Sequence, residues 1–137
     1  MSGTISSEQA LIYVMVMMSA VESKIKPEEL AEIELLVRTL PAFVGFDRAR
    51  LVTVAQECSD ILQVKDGMQT VIALVKGQLP ERLRETAYAL AVEVAASDLA
   101  VGREELRFLS ILRDGLDLDK LTTAAIEKSA IARFQAL

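Results

Sequence analysis

Histidine is absent from the chain, cysteine occurs once, and aromatic residues make up only 4%. Each shortage closes a chemistry. Without histidine there is no Ser-His or Cys-His nucleophile pair, no imidazole metal ligand and no HExxH helix. Di-iron chemistry built on Glu-x-x-His pairs goes with them. The lone Cys58 has no partner for an intramolecular disulfide, and within LVTVAQECSDIL, a helical pattern, it reads as a small packing residue. Positive charge is scarce too: 15 Lys and Arg against 20 Asp and Glu leave a net −5, the wrong balance for a nucleic-acid reader. The most apolar run, Ala10 to Val21, falls well short of the roughly 20 residues that span a bilayer, so direct membrane insertion is not expected. No basic segment precedes an apolar stretch at the N-terminus, which argues against a signal peptide and for a cytoplasmic setting.

Apolar residues, by contrast, make up 52% of the 137 positions. A chain of this size buries roughly two-thirds of its unfolded surface and needs neither disulfide nor structural metal to fold. One domain over residues 1–137 is expected. Sustained alternation is missing and helical periodicity runs throughout, so the expected class is all-α, with seven helices. The first opens at Ser6, where Ser6-Ser7-Glu8-Gln9 fits the S-x-x-Q capping pattern, and runs to Val21. The second starts at Pro27 and ends at Leu40 before Pro41; the third runs from Asp47 to Leu62 and the fourth from Asp66-Gly67 to Leu79. Pro80 opens the fifth, Arg103 to Arg113 forms the sixth before Asp114-Gly115, and Asp119 opens the seventh. Residues 10–18 and 87–92 are apolar on every helical face, which predicts two central helices wrapped by five amphipathic ones.

Sliding the chain by 76 positions lays AVESKIKPEELAEIELL, from Ala20, over ASDLAVGREELRFLSIL, from Ala96. Ile25 then matches Val101, and Glu28-Glu29-Leu30 matches Glu104-Glu105-Leu106. Two copies are too few for a solenoid. The match predicts a pseudo-twofold bundle of two halves, residues 7–63 and 81–134, joined by a connector helix over 66–79. The first and fifth helices should meet at its centre.

Both copies follow [D/E]-x-x-[I/V]-x-x-E-E across a helix-loop-helix corner. Glu22 and Glu29 close one corner, Asp98 and Glu105 the other. A Glu at the third helical position can reach back to an orphan backbone N–H and complements the positive helix end, worth about 0.3–1 kcal/mol. The same acids also fit positions 5 to 12 of a calcium-binding loop frame, although its front half is missing and one half-loop offers too few oxygens. Glu22, Glu29, Asp98 and Glu105 brought together would supply four carboxylates to a hard cation (Ca²⁺, Mg²⁺ or Mn²⁺). Cap and ligand both remain open on the sequence.

With its buried helices ending in an acid and its doubled corners, the chain resembles the TerB-like tellurite-resistance family from about Ser7 to Arg133. That resemblance implies a cytoplasmic, all-helical, non-catalytic bacterial module of a tellurite or stress-resistance system. It further implies divalent-cation binding through the repeated acids, and docking on a protein partner embedded in the membrane. No organic cofactor is implied. Ser23 and Leu99 stand where the family pattern D-G-x-[I/L]-x-x-x-E carries glycine, and Glu22 where it carries Asp.

Other residues read more plainly. Glu93, whose counterpart 76 positions back is Met17, is expected at a solvent-exposed edge or paired with an Arg. Met15, Met17 and Met18 read as core, not as a soft-metal cluster. Buried Tyr13 and Tyr88 should each seek a hydrogen-bond partner. Lys120, Lys128 and Arg133 read as solvated surface, too sparse for a membrane-binding helix. A metal-free helical scaffold, its acids serving as caps, is the competing non-catalytic reading. An enzyme built on carboxylates or Cys58 lacks any visible proton shuttle or cofactor loop.

Overall fold

The structure is a computed structural model, and it describes residues 5–21, 25–97 and 101–136. Among them the chain forms seven α-helices and no strand. They are α1 (Ser7–Ala20), α2 (Pro27–Thr39), α3 (Leu51–Leu62), α4 (Gly67–Gln78), α5 (Arg84–Ala96), α6 (Arg103–Gly115) and α7 (Lys120–Arg133). None is long and apolar enough to cross a membrane.

The expected capping box opens α1. Ser6 Oγ accepts from the Gln9 N–H at 3.1 Å, and Gln9 Oε1 accepts from the Ser6 N–H at 2.7 Å. Every residue from Ala10 to Ser19 is then buried. Ser19 tolerates this because its hydroxyl donates to the Met15 carbonyl at 3.2 Å, one turn back. A fully buried Leu, Ile, Val or Met contributes about 1.5–3 kcal/mol, so α1 anchors the core. It packs most extensively on α5 and also against α3 and α4. In turn α5 carries α7, α2 and α6, so the two central helices lie where the apolar runs place them. The buried side chains of all seven helices join one cluster.

Burial on α5 is not complete. Ala89 and Glu93, one turn apart, stay half-buried, leaving one stripe of the helix near solvent. The outer helices bury single stripes, such as Ile33, Leu36 and Val37 on α2 and Phe108, Leu109 and Leu112 on α6. Met15, Met17, Met18 and Cys58 are all core.

Three boundaries differ from the periodicity. Asp47 caps a 3-10 turn, Arg48–Arg50, that leads into α3, and Pro80 precedes another, Glu81–Leu83, that leads into α5. A third, Pro41–Phe43, follows α2, whose end is set by Leu40 in the extended conformation a following proline favours. The glycine expected to stop the sixth helix lies inside α6. A Cβ on Gly115 would stand 2.7 Å from Ile72 Cγ2, so this glycine lets α6 approach α4. The left-handed residue of the turn is Asp117, at φ 57°. Gly67 works similarly. Asp66 takes the left-handed conformation at φ 59°, and a Gly67 Cβ would lie 2.3 Å from the Ile61 carbonyl oxygen.

Candidate functional site

The two corners are built alike where they are described. At the first, α1 ends at Ala20, and α2 opens at Pro27 with Lys26 as its N-cap. Glu29, at the third helical position, accepts from the Lys26 N–H at 3.2 Å and is 2% exposed. At the second, Gly102 caps α6 and Glu105 accepts from its N–H at 2.7 Å, 1% exposed. Glycine has no side chain to close the reciprocal half of a capping box, and Lys26 makes no side-chain cap either. At each helix start the glutamate of the third position thus closes back on the N-cap backbone. Carboxylates are rarely this buried unless paired or hydrogen-bonded. The backbone N–H and the positive helix end account for that burial in part.

Glu22 and Asp98, the first acids of the corners, lie outside the described residues. Glu29 sits on α2 and Glu105 on α6, each bound to its own helix start. Among the described residues no three acidic or cysteine side chains gather into a group that could hold a metal ion. The donors that the sequence singles out are all carboxylates, which suit hard cations and not soft ones.

A second cluster joins three helices. Glu93 of α5 is ion-paired with Arg133 of α7, as expected of a Glu with an Arg in reach, and its side chain is only 12% exposed. Arg133 is thus not simply solvated surface. Glu32 of α2 faces the same spot. Burial, and then the neighbouring Glu93 charge, push its carboxyl above the usual range, against the opposing pull of Arg133. Sequence reasoning missed Glu32, yet a signal existed: 76 positions on stands Phe108, a core residue. Nearby, the buried Tyr88 hydroxyl donates to Glu127 of α7, and burial together with that carboxylate raises the phenol above its ordinary range. Tyr88 has the acidic partner its burial calls for.

Cys58 is fully buried, and burial pushes its thiol up to about 12. The thiolate that a nucleophile requires is scarcely populated at neutral pH. Compared with protein-family models, curated proteins and solved structures, the chain matches none.

Proposed function

We propose that the chain is a non-catalytic cytoplasmic module of a bacterial stress-resistance system, similar to the TerB-like family, with two corners that bind a divalent cation and a surface that docks on a protein partner. The observation that carries this reading is the pairing of Glu29 with Glu105: two nearly inaccessible carboxylates at the same position of two helices of 13 residues, α6 starting 76 positions after α2. The equal spacing supports an internal repeat. The register is lost further on, because two 3-10 turns precede α3, and Leu51 and Lys120 stand 69 positions apart. Glu22, Glu29, Asp98 and Glu105 would hold the ion, Ca²⁺, Mg²⁺ or Mn²⁺, whose role is to bind and order the corners. Tellurite or a related stress is the physiological setting the family likeness suggests, with a membrane-embedded component as partner.

Calorimetric titration of metal-stripped protein with the three cations tests the reading, beside Glu22→Gln and Asp98→Asn. Saturable heat lost in both variants supports it; no heat at millimolar cation overturns it. A second reading, a metal-free interaction scaffold, is favoured by the hydrogen bonds that Glu29 and Glu105 make to their own helix starts. On that reading the parent melts at one temperature with or without cation, and loss of either cap lowers it.

A further inference from the structure

On the 76-position correspondence the two halves are covered unequally. α4 packs on α1, α3 and α6, its Ile72 standing over Gly115 and its Lys76 ion-paired at 2.6 Å with Asp117, just after α6. The counterparts of those three helices are α5, α7 and α2. Among the described residues no fourth helix packs on them together. Burial follows this difference position by position. Ala10, Tyr13, Met17 and Leu116 are at most 2% exposed, whereas Thr86, Ala89, Glu93 and Leu40, 76 positions away, are half-buried. Met17 and Met68 of α4 line one hollow, so α4 reaches that stripe of α1.

In the second half the same place is an open cleft of about 480 Å³ between the α2 end and the α5 start. Leu40, Pro41 and Ala42 form one wall, and Arg82, Leu83 and Thr86 the other. Pro41 is the counterpart of Asp117, the residue that α4 holds through Lys76. The cleft therefore lies where a fourth helix would come down. Its walls are apolar apart from Thr86 and one charge, Arg82. Arg82 is exposed and enters no hydrogen bond or ion pair among the described residues.

We propose that this cleft docks an amphipathic helix of a protein partner, seated against α5 and the α2 end as α4 is seated against α1 and the α6 end. The pattern is supplied by α4 itself, which buries Val71, Ile72 and Val75 and sets Lys76 one turn after Ile72. Aliphatic anchors at such spacing are how a helix lies in a groove. The partner helix carries an acid where α4 carries Lys76, because Arg82 faces the same cleft as Pro41 and its fork matches a carboxylate. The inference rests on the repeat in the proposed function and names the partner of its docking surface. Cation titration of the corners is a separate measurement, so failure of one is told apart from failure of the other.

The probe is a synthetic peptide of residues 66–79 carrying Lys76→Glu, beside the unaltered peptide and a scramble of the altered one. Each is titrated into the full chain and followed by backbone amide NMR. The Lys76→Glu peptide is expected to shift the amides of Leu40, Ala42, Arg82, Leu83 and Thr86 saturably. It binds about fivefold tighter than the unaltered peptide, since a like-charge contact at Arg82 becomes an opposite-charge one. In the chain, Arg82→Glu at this exposed position reverses that order, and Arg82→Gln levels the two peptides. The inference is overturned by no saturable shift, by an order that Arg82→Glu leaves unchanged, or by a scramble that binds equally. It is overturned too by shifts confined to α1 and α3, where the peptide displaces α4, or by the same cleft amides moving with protein concentration alone, where a second copy is the occupant.

Discussion

Replacing Glu105 by Ala and by Gln separates a helix cap from a metal ligand. In Glu105→Ala the Gly102 N–H, bonded at 2.7 Å, loses its acceptor, and Gly102 has no side chain to substitute. A hydrogen bond to a charged group contributes about 1.5–3 kcal/mol, and the charge at the helix start adds about 0.3–1 kcal/mol. The expected loss is about 2–4 kcal/mol. For 137 residues, an unfolding entropy near ~2.1 cal/mol/K per residue converts 1 kcal/mol into about 3–4 °C. Glu105→Ala should thus lower the melting temperature by about 7–14 °C in metal-stripped buffer. Glu105→Gln keeps an amide oxygen as acceptor and loses the ionic part, about 1 kcal/mol or 3–4 °C. Glu29, with its bond to Lys26, should behave the same way. The assay is thermal melting by far-UV circular dichroism, with and without chelator. Should Glu105→Gln fall as far as Glu105→Ala, the carboxylate charge and not the acceptor is what matters, and the capping argument fails.

The glycines provide a graded comparison by chemical denaturation. Nothing stands within 4 Å of a Cβ on Gly77, so Gly77→Ala should stabilise by about 0.5–1 kcal/mol; Gly115→Ala should destabilise through the contact with Ile72 Cγ2 and recover in part with Ile72→Leu, which lacks that β-branch methyl, and Gly67→Ala, which meets backbone, should have no side-chain rescue. Glu32 sets a pH dependence. Its folded pKa is raised above an unfolded value of about 4.3, so the folded state holds the extra proton, and this contribution to stability is full below about pH 4 and declines as pH rises through the folded value. Glu32→Gln should melt above the parent at pH 7 and match it near pH 4, and a variant melting lower at both pH values refutes the assignment. Arg133→Ala leaves Glu93 half-buried and unpaired and should destabilise, while adding Glu93→Met should recover most of the loss; an additive double-mutant cycle would show that the pair is not coupled.

How far the chain could be read depended on how local the determining physics is. The Ser6–Gln9 box, Pro27 at a first turn and the all-apolar 10–18 segment act over one or two turns, and the structure has each in place. Gly115 misled because its role is tertiary: what it accommodates is Ile72, 43 positions back, and no local pattern reveals that. The 3-10 turns after Asp47 and Pro80 share side-chain spacing with the first turn of an α-helix, so periodicity merges them with α3 and α5. Glu29 and Glu105 were legible as residues at a third helical position, but their near-complete burial was not. Burial is set by tertiary packing over a position, which a local pattern does not carry.

The two halves also differ in a way that bears on α7. On the proposed correspondence, Glu32 and Glu93 stand where the other half has Phe108 and Met17, both core residues. The α6–α1 contact is thus apolar at positions where the α2–α5 contact carries two carboxyl groups. Two carboxyls in a partly buried contact repel, and Arg133 from α7 relieves that repulsion. α7 itself buries only Thr123 and Ala130, far less than α1. Its attachment to α5 instead includes the Arg133–Glu93 and Tyr88–Glu127 bonds, which hold only in one register of the helix pair. Apolar burial alone would let so weakly buried a helix slide or rotate. The polar ties fix its position, and the acid that disturbs the α2–α5 contact is the same one that ties down α7.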